Sequence, residues 1–298
     1  MDSSGRTVLC RMASITTFMK VIHEYTVMTR KRMSMDRRAY LKTVGASGAI
    51  VLTSTAGCTG GGGGNGDEGP ETIIPATAPG FPPFEMKEGG ELVGFDIDLL
   101  TAVVENAAGY ELGEWEEFEF KSLIPALTNE KIDVIAAAMT INDERDETID
   151  FSEPYYNADQ AILVADNSGF SPGSMDDLAG KKLGAQKGTT GESVVQEELI
   201  EAGKVSEQNY NSYGNYVLAI EDLQNGNIDA VVLDTPVANT FAGERPVSVA
   251  FTYETGEKYG FGIREGDASL QGALNRGLNE VQQSNQYNEI TKKWFGQE

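Results

Sequence analysis

The chain has 298 residues, with two cysteines, one histidine and only 23 basic residues to set against 46 acids. The cysteines are Cys10 and Cys58 and the histidine is His23, all in the N-terminal fifth. With residues 1–57 set aside as a leader, the body of 241 residues keeps no cysteine after its first position and no histidine. That excludes an internal disulfide, His-based catalytic triads and the usual zinc sites. Acidic clusters have the right donors for Ca²⁺, but no EF-hand spacing occurs. No metal and no cofactor are expected.

The shortage of positive charge is sharper still in the body. Residues 1–57 hold nine Lys and Arg and three Asp and Glu, which leaves a net charge of −29 on the remainder. Nucleic acid and an anionic bilayer are therefore poor partners for it. A charge of this size repels itself at low salt and is screened within about 3 Å at 1 M ionic strength. With so few lysines, the composition resembles the acidic surface of salt-adapted archaeal proteins.

Long apolar runs are also missing. The stretch 44–56 follows Arg37 and Arg38 and falls short of the roughly 20 residues a spanning helix needs. Paired arginines before a short apolar segment point to twin-arginine (Tat) export. Thr55-Ala56-Gly57-Cys58 resembles a lipobox, which makes Cys58 the expected lipidated first residue of the mature protein and its membrane anchor. Thr55 departs from the leucine usual there. Residues 1–34 resemble no export signal, and Met35 is a plausible start. Residues 58–70 are glycine-rich and read as a flexible tether with a reach of roughly 5–6 Å × √n. A phosphate-binding loop would need a preceding strand and a following Lys-Ser/Thr, and has neither.

Beyond the tether, β-rich and helix-periodic segments alternate. Strands are expected at 71–76, 115–120, 132–138, 161–165, 182–185, 229–233 and 261–263. Helical spacing runs over 96–107, 190–201, 214–225 and 267–283. Such alternation implies an α/β fold with parallel sheets flanked by helices, in one domain or two.

The most informative stretch is 135–156, IAAAMTINDERDETIDFSEPYY. An apolar strand ends at Met139, Thr140 and Asn142. Arg145 follows among Asp143, Glu144, Asp146 and Glu147. An arginine near a strand's carboxyl end can grip a carboxylate bidentately, as lysine cannot; a surface arginine in a charged helix is the competing reading. Two other segments carry similar ambiguity. In GTTG (188–191), Thr190 stands where a helix begins, as an anion-binding turn or an ordinary N-cap. Asp234 follows the buried run 230–233 and precedes Thr235-Pro236, as an acceptor for a cation or another N-cap. Phe81 and Phe120 have apolar neighbours and read equally as ligand walls or as core.

MTINDERDETIDFSEPYY (139–156) resembles the signature of the extracellular solute-binding proteins, family 3. The likeness continues in order through ATAPGFPPFE (76–85), GFDIDLL (94–100), LIPAL (123–127), QKGTTG (186–191), DAVVLDTP (229–236) and YNEITKKWFG (287–296). It implies a two-lobed periplasmic-binding-protein-like fold of type II, with two crossover hinge strands near 155–159 and 255–259. Lobe 1 is then 71–154 plus 260–298 and lobe 2 is 155–259, with Trp294 and Phe295 packing against lobe 1. The implied function is capture of a free amino acid between closing lobes, for delivery to the permease and ATPase of an ABC importer, by a monomer.

The resemblance also assigns subsites. Arg145, Thr140 and Thr190 are to hold the ligand carboxylate, Asp234 and the Ala138 carbonyl its ammonium, and Phe81 and Phe120 its side chain. Where glutamine- and lysine/arginine/ornithine-binding relatives carry an Asp that reads the distal group, this chain has Ala78. Gln186 takes the place of a cleft lysine or leucine. The missing Asp points to a neutral side chain, unless Glu85 or Glu257 substitutes. Three alternatives stand beside this reading. An amino-acid derivative or osmolyte changes only the ligand. A sensory receptor would need a transmembrane helix and signalling domain, or a separate sensor. A dehydratase acting on cyclic carboxylates would use Asp234, for which no second titratable partner is apparent.

Overall fold

The computed structural model describes residues 69–296. The leader, residues 58–68 of the tether, Cys10, His23 and Cys58 lie outside the described residues. Ten strands build two five-stranded sheets. The first sheet uses β1 (Pro75–Thr77), β2 (Glu116–Glu117), β3 (Val134–Ile135) and β4 (Ile149–Phe151). The second uses β5 (Tyr156–Ala165), β6 (Leu183–Gln186), β7 (Tyr210–Tyr213), β8 (Ala230–Asp234) and β9 (Val247–Tyr259), after which β10 (Gly262–Arg264) returns to the first. Their orders are β2-β1-β3-β10-β4 and β7-β6-β8-β5-β9.

Both sheets are mixed rather than parallel throughout. β1 runs parallel to β2 and β3, and β6 runs parallel to β7 and β8. β10 is antiparallel to β3 and β4, and β5 is antiparallel to β8 and β9. The reason is the crossover. The chain enters the second sheet along β5 and leaves it along β9, paired from Val247–Ala165 down to Tyr259–Tyr156. Two strands joining the same two bodies in opposite directions must pair antiparallel. The strand expected at 161–165 is thus the inner half of a ten-residue hinge strand. Its partner β9, thirteen residues long, alternates buried and exposed at Glu257, Lys258 and Tyr259, as a strand with one dry face does.

The helices are α1 (Phe95–Asn106), α2 (Leu123–Thr128), α3 (Asp143–Asp146), α4 (Thr190–Val195), α5 (Tyr216–Gln224), α6 (Thr235–Glu244), α7 (Ala268–Gln283) and α8 (Gln286–Phe295). The helix expected over 190–201 is α4 followed by a π-helical turn from Gln196 to Glu201. One apolar core passes from the first lobe through the hinge into the second, with Phe84, Phe95, Tyr259 and Phe241 among its members. Separate clusters back each sheet, one around Leu123, Leu127 and Ile135 and one around Val195, Leu199 and Val232. The C-terminal helix seals the hinge base. Phe295 lies 5.1 Å from the Tyr156 ring and 5.3 Å from that of Phe84, while Trp294 donates to Asp98 at 2.7 Å.

Helix α7 crosses α1 at Gly277, where a Cβ would stand 2.2 Å from the Val103 carbonyl oxygen. Glycine in a helix interior ordinarily forfeits up to about 1 kcal/mol against alanine. Here the close approach reverses the sign, since overpacking costs about 1–3 kcal/mol. Gly277→Ala is therefore expected to lower the melting temperature; an unchanged or higher value would contradict the packing described.

Candidate functional site

Between the lobes lies a cavity lined by Phe81, Glu85, Phe120, Ala137, Ala138, Arg145, Gln186, Thr189, Thr190 and Asp234. It encloses about 280 Å³ of space not filled by protein atoms. Seven of the nine residues expected to bind ligand meet here. Thr140 adjoins the cavity through Arg145. Ala78 is buried instead among Ala76, Phe120 and Leu123 in the apolar layer behind the first sheet and is not among the lining residues. Glu85, Ala137 and Thr189 complete the wall. A groove larger by the same measure, about 1390 Å³, runs beside the hinge strands past Trp294, Phe295 and Thr235. It lacks Arg145, Glu85 and Asp234, so size alone does not mark the site.

Arg145 is the cavity's one cation. Helix α3 is a single turn whose N-cap, Asn142, accepts from the Arg145 amide at 2.9 Å. That turn leaves Asp143, Glu144, Asp146 and Glu147 exposed and sends the arginine inward, where it is 8% exposed. A surface arginine in a charged helix is thereby excluded. Its Nη1 donates to the Thr140 carbonyl at 2.6 Å and its Nη2 to the Gly188 carbonyl, in the other lobe, at 3.0 Å. The Phe120 ring centre is 5.4 Å from Cζ. Burial lowers its pKa, and the carboxylates of Glu257 and Asp234 oppose that shift.

Asp234 ends β8 and precedes α6, yet its side chain caps nothing. It accepts from the Tyr259 hydroxyl at 2.7 Å. Burial, with the Glu257 carboxylate nearby, pushes its pKa up to about 8. Glu85 is 1% exposed and its Oε2 has no hydrogen-bond partner. Burial, then Asp96 and Asp234, raise its pKa well above the carboxylate range. Gln186, at the end of β6, is likewise buried with an unpartnered Oε1. The wall thus offers two buried polar oxygens without hydrogen-bond partners.

The turn 188–191 divides its labour between two threonines. Gly188 sits at φ +79°, and Thr189, not Thr190, is the N-cap of α4. Thr189 also donates to the Gln186 carbonyl at 2.7 Å. Thr190 is left to reach across the cleft to Thr140 Oγ1 at 3.2 Å. Ala138 is held at φ +44°, a region L-residues seldom occupy. Its amide donates to Asp96 Oδ2 at 2.6 Å, and the Tyr155 hydroxyl donates to the same oxygen at 2.7 Å. Burial pushes the Asp96 pKa up to about 7. Among the described residues no His/Cys/Asp/Glu cluster suits a metal ion, and no helix is long and apolar enough to cross a membrane.

The raised carboxyl pKa values fix the sign of a pH effect. Folded Asp234 holds its proton until about pH 8, while the unfolded residue loses it near pH 3.8. The stability this contributes is complete below the unfolded value and is lost as pH rises through the folded one; Asp96 acts alike up to about 7. The melting temperature without ligand is expected to fall between pH 5 and pH 8.5, with Asp234→Asn flattening the upper part. A melting temperature that climbs across this range would contradict the environment described.

The chain as a whole is similar to known proteins. The model for bacterial extracellular solute-binding proteins, family 3, matches residues 73–297. The chain is 36% identical to a probable histidine-binding protein of Campylobacter jejuni over 226 residues, 75% of this chain and 84% of that protein. It is 32% identical to the lysine/arginine/ornithine-binding periplasmic protein of Escherichia coli over 236 residues, 76% of this chain and 88% of the relative. Among solved structures, an ancestral arginine-binding protein bound to arginine superposes with a TM-score of 0.70 at 38% identity. The match covers 76% of this chain and 98% of that one, and the same holds for an ancestral arginine-binding protein bound to glutamine. The chain belongs to the bacterial extracellular solute-binding proteins, family 3.

Proposed function

We propose that this chain is the extracytoplasmic binding component of an ABC amino-acid importer and that its ligand is an amino acid with a cationic side chain. The observation that carries the reading is the charge of the cavity. One guanidinium faces two buried carboxyls, and Glu85 Oε2 and Gln186 Oε1 lack donors. A zwitterion's carboxylate and ammonium match Arg145 and Asp234. A third, distal cation then matches Glu85. Ala78 argued for a neutral side chain; Glu85, seven residues on, supplies the carboxylate that Ala78 lacks. Relatives named for histidine, arginine and lysine favour the same class.

In this reading Arg145, with Thr190, takes the carboxylate, Asp234 and the Ala138 carbonyl take the ammonium, and Phe81 and Phe120 flank the side chain. Desolvating charged groups is unfavourable unless each meets a partner, so the ligand and the wall need one another. Contacts to both lobes favour the closed state over the open one. Lobe 1 is 71–154 plus 260–298 and lobe 2 is 155–259. The protein acts as a monomer, exported by the Tat route, tethered through lipidated Cys58, and adapted to high salt. Permease and ATPase are separate chains.

A thermal-shift screen in molar KCl against the twenty amino acids tests the ligand class. At about 100 times its dissociation constant a ligand adds roughly 2.7 kcal/mol, and arginine, lysine or histidine is expected to shift the melt by several degrees. Shifts with neutral amino acids alone would overturn the cationic reading, and silence across the panel the amino-acid reading. Arg145→Ala is expected to abolish binding with the fold retained. Glu85→Gln is expected to weaken the cationic ligand at least about tenfold, roughly 1.4 kcal/mol. Cys58→Ser is expected to move the protein from the membrane to the soluble fraction; continued membrane retention would refute the anchor.

A further inference from the structure

The outgoing hinge strand carries two buried polar side chains two residues apart, and each ends on a site residue of a different lobe. The Tyr259 hydroxyl donates to Asp234 of lobe 2. Glu257, 6% exposed, accepts from the Thr140 hydroxyl of lobe 1 at 2.6 Å through Oε2. Its Oε1 accepts from Gln160 Nε2, on the other hinge strand, at 2.7 Å and from Thr255 Oγ1 at 2.9 Å. Glu257 does not line the cavity. A buried carboxylate so placed is unfavourable unless its lone pairs are filled, and three donors from both hinge strands and lobe 1 fill them.

The direction of the protons gives this cluster a consequence. A threonine hydroxyl has one proton to donate and lone pairs to accept with. That of Thr140 is committed to Glu257, so towards the cleft Thr140 is an acceptor, and it accepts from Thr190 of the opposite lobe at 3.2 Å. The order Thr190, Thr140, Glu257 is therefore a relay from the closing face of lobe 2, through lobe 1, to the hinge. Beside it, Arg145 holds the Thr140 carbonyl and the Gly188 carbonyl of lobe 2. One threonine thus has its hydroxyl and its carbonyl fixed by groups on either side.

We propose that Glu257 is a positioning residue for closure. It orients Thr140 as the acceptor that Thr190 meets when the lobes shut, and so sets how long the closed complex lasts without touching ligand. The proposal rests on the amino-acid-capture reading. A weakened relay lets the lobes part sooner, whereas encounter with the open cleft is unaffected. The effect belongs in the dissociation rate.

Stopped-flow binding of L-arginine to the full chain tests this. Glu257→Gln is expected to raise the dissociation rate about tenfold with the association rate within about twofold. Thr140→Val, which removes the donated proton, should do the same, and the double variant should be no worse than the poorer single. Thr255→Val, which removes a donor to the same carboxylate outside the relay, should leave dissociation within about twofold. A dissociation rate for Glu257→Gln within twofold of the parent would overturn the proposal, as would single effects that multiply in the double variant. If the parent itself fails to bind L-arginine, the arginine reading fails separately. Small-angle scattering without ligand then decides. A larger radius of gyration for Glu257→Gln than for the parent supports the relay, and identical radii at equal melting temperature overturn it.

Discussion

Ionisable groups of opposite kind shut away from water in one small cavity are the constraint on which the rest of this structure depends. A guanidinium and two carboxyls share the wall between the lobes, and ionising such groups away from water is unfavourable without partners. The surroundings supply those partners in part. Arg145 has two backbone carbonyls, and Asp234 has the Tyr259 hydroxyl. Glu85 Oε2 has none. Burial raises the pKa of both acids, and for Asp234 the Arg145 guanidinium offsets only part of that shift.

The scaffold makes that constraint possible. Strand ends deliver Gln186 and Asp234, the single turn α3 delivers Arg145, the first residue of α4 is Thr190, and the strained Ala138 sits over Asp96. The two long antiparallel strands are the covalent link and also the electrostatic one, because Glu257 and Tyr259 project from one of them to site residues. Closing the lobes and completing the site are therefore a single event in this architecture.

Much of this was legible in the sequence. Arg145 was visible because one basic residue stood among four acids after an apolar run, and the structure buries the arginine while exposing the acids. Asp234 was visible as an acid at the end of a buried strand, and the absence of a cap bond excludes the N-cap alternative. Other features were not legible, for physical reasons. Thr189 and Thr190 are chemically identical, and only the backbone turn decides which caps the helix and which faces the cleft. Glu85 stood beside Glu257 as a substitute for the missing Asp, but the sequence could not choose between them, because the burial of Glu85 depends on the loop 79–85 folding back through the Phe81–Glu85 pairing. The antiparallel half of each sheet was missed because periodicity reports burial and not strand direction. Ala78 showed what was missing at one position, and only the folded chain brings Glu85 into the cavity wall while leaving Ala78 in the apolar layer behind it.

The central claim is that a cationic side chain completes the charge of this cavity. Arginine and citrulline have nearly the same shape and differ in one distal charge, so calorimetric titration of both against the full chain in molar KCl at pH 7.5 isolates that charge. The account predicts that L-arginine binds at least about a hundredfold more tightly than L-citrulline, a difference of roughly 2.7 kcal/mol. Equal affinities, or a preference for citrulline, would contradict it.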